Sequence, residues 1–208
     1  RLNAELDKRI DKRTEELELS LKNEKKAIAE ASRNQQRIVF LSKASGVLSS
    51  SLDYNATLTE LANEITPDIA DWCIIHELQT DNTIKPIIIS HTDKSKIEHG
   101  FRLSQKLPSD PKMPEGLYKI IHTQKPAFFP DLTEKLMSRI FGITNDQEYI
   151  RLLQGLQANS LISVPLIIHK QAFGIMTLIL EGGKRQFDTD DLNLAKEIAR
   201  RISFAIEN

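Results

Sequence analysis

The chain has 208 residues, 40% hydrophobic and 27% charged, which suits one sizeable domain with an extension or two small ones and excludes disordered, collagen-like and disulfide-built classes. Its 28 Lys and Arg against 29 Asp and Glu give a formal charge of -1, so nothing in it draws nucleic acid or acidic lipid by bulk electrostatics. One cysteine forms neither an internal disulfide nor a cysteine-rich zinc site, and no apolar run approaches the roughly 20 residues that cross a bilayer. The chain opens on Arg1 without a signal-peptide pattern, and its last helical stretch has no stop signal; a soluble, cytoplasmic piece of a longer protein is expected, with membrane attachment of the longer protein left open.

From Arg1 to about Arg37 there is no Gly, Pro or aromatic residue and roughly half the positions are charged, which favours a long helix over a packed lobe. The sparse apolar residues Leu2, Leu6, Ile10, Leu17, Leu21, Ile28 and Ile38 fall near heptad spacing, with Thr14, Glu24, Ala31 and Gln35 in weaker layers. Glu5 with Arg9 and Glu18 with Lys22 are i,i+4 pairs in the favourable order, each contributing about 0.2 to 0.5 kcal/mol. So polar a helix has little to bury alone. It reads as one strand of a parallel two-stranded coiled coil or, more plainly, as a solvated helix.

The helical pattern continues through Phe40, Leu41, Ala44, Val47 and Leu48 and breaks at Ser49-Ser50-Ser51. A second helix starts at Leu52-Asp53, with Asp53 as its cap and Leu58, Leu61, Ala62 and Ile65 as its buried face, and ends near Pro67. Trp72 to Leu78 and Ile84 to Ser90 read as a hairpin across Asp81-Asn82, with Pro86 placing the second strand at an edge or a bulge. Residues 92–113, broken by Pro108 and Pro111 and followed by Pro114, are expected to be a loop.

A helix from Glu115 to Gln124 turns Leu117, Ile120 and Ile121 inward; Ala127 to Phe129 is a short strand; Leu132 to Leu156 is one or two helices interrupted near Gly142. Two β-branched runs, Leu161 to Ile168 and Phe173 to Leu180, form a tight hairpin across His169-Lys170-Gln171. Gly182-Gly183 turns the chain into a last helix. Asp188 caps it, Asp191 stands three residues later, Phe187 staples to Leu192, and Leu192, Ala195, Ile198, Ile202 and Ala205 face inward.

Chemical motifs are scarce. There is no phosphate-cradling G-x-x-x-x-G-K, no dinucleotide G-x-G-x-x-G and no G-x-S-x-G elbow. His76, His91, His99, His122 and His169 lie in different predicted elements, and Cys73 with His76 make a poor chelate because they face opposite ways on a strand. Cys73, flanked by Trp72, Ile74 and Ile75, reads as a dulled, buried thiol. On the first strand Trp72, Ile74, His76 and Leu78 share one face, and Cys73, Ile75 and Glu77 the other; which of them looks into a pocket is open. Candidate ligand contacts are Trp72, Ile74, His76, Leu117, Ile120, Phe128 and Phe129, with plain core as the alternative for each; no metal and no catalytic residue is assigned, and the cofactor is unknown.

The region from Phe40 to Asn208, about four fifths of the chain, resembles a GAF domain. The likeness rests on Leu41-Ser42-Lys43-Ala44-Ser45 leading to Ser51-Leu52-Asp53-Tyr54, on Ala70-Asp71-Trp72-Cys73, on Ser160 to Leu166 followed by Phe173-Gly174, and on Phe187-Asp188 to Asp191-Leu192. These segments in order look like the GAF modules of bacterial sensor histidine kinases and of related phosphatase regulators. Arg13-Thr14-Glu15-Glu16-Leu17 is similar to the signalling helices that link such modules.

The resemblance implies an α/β (α+β) fold: a central antiparallel sheet with helices on both faces, terminal helices on one side and a variable lid on the other, and ligands, where present, between sheet and lid. It divides the chain into a coiled-coil signalling helix, 1–37, and a GAF-like sensory domain, 38–208. It also implies a parallel homodimer, whose contacts here would be Ile10, Leu17, Leu21, Ile28, Ile38, Leu41, Leu48, Ala195, Ile198 and Ile202. The cyclic-nucleotide signature, the bilin-attachment cysteine region and the several cysteines of the sulfoxide-reducing relatives are missing. The expected function is a non-catalytic sensory module of a signal-transduction protein, foremost a sensor histidine kinase, taking a small-molecule ligand and contacting neither nucleic acid nor membrane. The alternatives are a ligand-free structural dimerisation spacer, the regulatory GAF of a PP2C-type phosphatase, and a redox or hydrolytic enzyme using Cys73 or His76.

Overall fold

A computed structural model describes residues 2–50, 53–66, 68–107, 116–142, 146–183 and 185–207, with the side chains of 2–4, 6–8, 11 and 50 outside that description. The side chains of Leu2 and Leu6 of the heptad seam, and Ser51 and Leu52 before the second helix, Pro67 at its end, and Pro108, Pro111, Pro114 and Glu115, therefore lie outside the description. The first helix, α1, spans Leu2–Ser50. The chain divides into two units, Arg1–Lys43 and Ala44–Asn208.

In the first unit the seam candidates face solvent in the single chain: Ile10, Leu17, Leu21, Ile28 and Ile38 are 50 to 63% exposed, and Leu19 and Val39 are equally open. Arg13 with Glu16, and Lys26 with Glu30, make exposed ion pairs along the helix at 3.3 and 3.8 Å. Such pairs contribute a few tenths of a kcal/mol each.

In the second unit a five-stranded antiparallel sheet is built from β1 (Trp72–Leu78), β2 (Ile84–His91), β3 (Ala127–Phe129), β4 (Ala158–Ile168) and β5 (Gln171–Glu181), in the spatial order β2-β1-β5-β4-β3. β2 is an edge, and its register with β1 slips between Ile75 and His76, opposite Pro86. Both the edge and the bulge expected of that proline are present, since proline has no N–H to give a ladder. His169 and Lys170, both at positive φ, make the two-residue turn between β4 and β5.

One face of the sheet carries α2 (Tyr54–Ile65) and α7 (Thr189–Glu207). Asp53 caps α2 by accepting from Ala56 N at 3.1 Å, and Leu58, Leu61, Ala62 and Ile65 are buried. At α7, Asp188 Oδ1 accepts from the N–H groups of Asp190 and Asp191, while Asp191 Oδ2 accepts from Asp188 N at 3.0 Å, a reciprocal capping box. Strand residues facing these helices, among them Cys73, Ile75, Met176, Leu178, Ile162 and Val164, are fully enclosed.

The other face carries α3 (Ile97–Lys106), α4 (Leu117–Thr123), α5 (Glu134–Phe141) and α6 (Gln147–Gly155). Of the loop expected over residues 92–113, the described part holds instead a short 3-10 turn, Lys94–Lys96, running into α3. Gly100 disguises this helix in the sequence: a Cβ there would stand 2.8 Å from the Trp72 ring and 3.1 Å from Ile89, so the glycine lets the helix lie directly on the sheet. Helix α4 is shorter than the stretch from Glu115 to Gln124, because Gln124 takes the left-handed conformation and caps it. Gly142, at positive φ, ends α5 where an interruption was expected.

Candidate functional site

Between the sheet and α3 to α6 lies a cavity of about 100 Å³. Strand alternation decides which residues reach it: Ile74 and His76 of β1, Ile84 and Pro86 of β2, Thr177 and Ile179 of β5, Leu161 and Ser163 of β4, and Ala127 and Phe129 of β3 point in. The lid contributes Gly100, Leu103, Ser104 and Leu107 near α3, Gly116, Leu117, Tyr118 and Ile120 at α4, Ile140 and Phe141 of α5, and Leu156 after α6. No charged side chain is among the described residues of the wall.

Of the sequence candidates, the fold gathers Ile74, His76, Leu117, Ile120 and Phe129 around this one space. Trp72 shares their face of β1 but is absorbed into the adjoining core with Ile89, Leu103, Tyr149 and Leu152, where its indole N–H donates to Glu181 Oε1 at 2.5 Å. Phe128 pairs with Ile162 and turns to the opposite side, because successive strand residues alternate. Sequence reading missed Ser163 and Thr177, two hydroxyls inside β-branched runs, and the whole contribution of α3. The period-2 rule applied to Phe129 and its partner Leu161 places both hydroxyls on the inward face.

Polar groups at the cavity are few and specific. His76 is 4% exposed, its Nδ1 has no hydrogen-bond partner among the described residues, and burial pushes its pKa from 6.5 down to about 4. The imidazole is therefore neutral near pH 7. Ser163 Oγ and Thr177 Oγ1 share a hydrogen bond of 2.9 Å, and the Tyr118 hydroxyl donates to the Asn82 carbonyl at 3.1 Å. Gly174 brings β5 against β1 beside this group: a Cβ there would sit 2.5 Å from the His76 carbonyl oxygen. Only glycine allows the approach that seats His76.

A second polar cluster fastens the lid at the sheet end. Glu181 accepts from Lys96 Nζ at 2.6 Å as well as from Trp72, and His91 Nε2 lies 3.3 Å from the same carboxylate. The lid helices are joined by Lys106 to Asp146 and Glu148 at 2.7 and 3.0 Å, by Arg102 to Glu148, and by His99 Nε2 donating to the Leu152 carbonyl at 2.7 Å.

Cys73 is on the far side of β1 from the cavity, and burial raises its pKa to about 12, so it holds no thiolate near neutrality. No cluster of metal-binding side chains occurs among the described residues. No described helix is long and apolar enough to cross a membrane.

The pattern that defines the GAF domain matches residues 53–206. The chain belongs to the GAF domain family. Its GAF lobe is also similar in fold to solved structures: the GAF domain of an Acinetobacter phosphoenolpyruvate-protein phosphotransferase, at 13% identity over 82% of this chain and 92% of that one with a TM-score of 0.58; a free methionine-R-sulfoxide reductase from Neisseria meningitidis in complex with its substrate, at 13% over 83% and 90% with 0.57; and a methyl-accepting chemotaxis protein, at 16% over 78% and 94% with 0.54. No curated protein matches the chain. GAF domains are sensory and regulatory modules of signalling proteins.

The proposed dimer contacts divide among three environments. Ile10, Leu17, Leu21, Ile28 and Ile38 are open to solvent, Leu41 and Leu48 are half-buried, and Ala195, Ile198 and Ile202 are fully buried within their own chain. The three α7 residues belong to the stripe by which that helix packs on its own sheet, so they are unavailable to a second copy. An apolar stripe in a sequence does not reveal which surface it meets.

Proposed function

We propose that this chain is a non-catalytic sensory module: a small molecule enters the cavity of the GAF domain, and the terminal helices pass the resulting change to an output domain outside this sequence. The observation that carries the reading is the cavity, with a buried His76 Nδ1 that has no partner among the described residues, and described walls that are neutral and mostly apolar. Ligand sites are built in this way, from an apolar enclosure and a few directed polar groups. A spacer with no ligand has no use for that space, and an enzyme built on Cys73 would need its thiol in it.

Residues 1–37 serve as the signalling helix and 38–208 as the sensory domain. The exposed apolar series Ile10, Leu17, Leu21 and Ile28 supports pairing of two copies side by side in the same direction. A sensor histidine kinase is the first candidate for the whole protein, because register and rotation in a coiled coil suit that output. A ligand that prefers one of two arrangements by a few kcal/mol is enough to switch it. The test is a two-residue insertion near Asn34 in the full-length protein. A changed output supports the relay; an unchanged output, or light scattering that gives the mass of a single copy at micromolar concentration, defeats it.

A further inference from the structure

Resting on that sensory reading, we infer that the cavity selects an uncharged molecule about the size of a single six-membered ring bearing a hydroxyl group, which His76 and the Ser163 and Thr177 hydroxyls recognise. Size comes first. The space is about 100 Å³, of the same order as the roughly 150 Å³ engineered apolar cavity that admits benzene.

Charge comes next. The described wall holds no Lys, Arg, Asp or Glu, and an ion brought against these residues would lose its hydration with no countercharge among them to replace it. The one histidine of the described wall, His76, is neutral near pH 7 because burial depresses its pKa to about 4. It therefore offers an anion no compensating charge.

The hydroxyl follows from the polar atoms. His76 Nδ1 is buried without a partner among the described residues, a costly state that a ligand could end. A neutral imidazole has one donor and one acceptor nitrogen, and a ligand hydroxyl matches either tautomer because one oxygen both gives and accepts. The 2.9 Å bond between Ser163 and Thr177 uses one of their two hydroxyl protons and leaves the other to offer. The rest of the wall, Ile74, Leu161, Phe129 and Leu117 among it, suits a ring.

The experiment titrates phenol, toluene, benzoate and benzylammonium into the whole chain at pH 7, followed by calorimetry and by the chemical shifts of the His76 ring. Phenol should bind about fivefold more tightly than toluene, as one hydrogen bond provides, and the two ions should not bind at tenfold higher concentration. In His76→Leu the preference of phenol over toluene should vanish while toluene binding persists; Thr177→Val, nearly isosteric, should reduce the same preference and serves if the first variant fails to fold.

Benzoate or benzylammonium binding as tightly as phenol overturns the inference. So does a phenol preference that survives His76→Leu, or a wild-type chain that takes up neither phenol nor toluene. None of these outcomes decides the sensory reading, which stands or falls on the insertion near Asn34.

Discussion

Ile74 and Ile75 are neighbours on β1 that look into different layers. Ile75 is fully enclosed beneath the terminal helices, whereas Ile74 is half-buried at the cavity wall. One face of the sheet is closed by Cys73, Ile75, Met176, Leu178, Ile162 and Val164; on the other, His76, Ser163 and Thr177 keep polar atoms beside unfilled space. A single sheet thus separates a layer that stabilises the fold from one that can respond to a ligand. Truncation should expose the difference most strongly. Ile75→Ala should lower unfolding free energy by about 2 to 5 kcal/mol, as buried isoleucines do, and Ile74→Ala by about 1, because its site already borders a void. Equal losses in urea melts would mean that the lid face is packed as tightly as its opposite.

His76 gives the next largest effect. The unfolded chain protonates this histidine near 6.5 and the folded chain only near 4, so unfolding takes up a proton between those values. Stability is therefore fully present above pH 6.5 and declines as pH falls towards 4. At about 1.4 kcal/mol for each pH unit of the gap, the decline reaches roughly 3 kcal/mol. Urea midpoints at several pH values in that window should show a slope that His76→Leu largely removes; an identical slope in the variant would move the cause to other groups. Mutation of the closed face, as in Ile75→Ala, should shift the curve without changing its slope.

The hairpins and the last helix were readable from sequence, because their signals are local; which face of β1 the terminal helices close was not. Strand β1 opens on a short apolar run, β4 and β5 carry β-branched runs, and α7 carries a cap. The cavity was half readable. Ile74, His76, Leu117, Ile120 and Phe129 stood out as apolar or titratable residues, but period 2 says only that Phe128 and Phe129 differ in direction, not which of them faces the lid. Helix α3 was hidden by a tertiary requirement: the close approach of Gly100 to Trp72 places a poor helix former in mid-helix. The stripe Ala195, Ile198 and Ile202 showed a burying face while giving no sign that the burial was within one chain.

That close approach yields the third test. Gly100→Ala must displace Trp72, an aromatic core side chain also held by its bond to Glu181, or lift α3. Overpacking of this kind costs about 1 to 3 kcal/mol, partly offset by alanine's better helix propensity. Hydrogen exchange should quicken first in α3 and much less in α7, across the sheet. Equal quickening in both would mean that the two layers open as one unit.

The smallest effect concerns the pairs along the outside of the lid. Lys106 reaches Asp146 at 2.7 Å and Glu148 at 3.0 Å, yet its side chain is 31% exposed and theirs 42% and 47%, so water and salt screen both contacts. What holds α3 to α6 is the apolar packing of Leu103, Tyr149 and Leu152. Lys106→Met keeps most of the stem and removes the charge; it should lower stability by less than about 1 kcal/mol in dilute buffer, and by nothing measurable in 1 M salt, where the Debye length is about 3 Å. A salt-independent loss of several kcal/mol would make the ion pairs the fastening of the lid. Raised salt would then open the cavity, and any ligand would bind with a salt dependence that an uncharged wall does not otherwise predict.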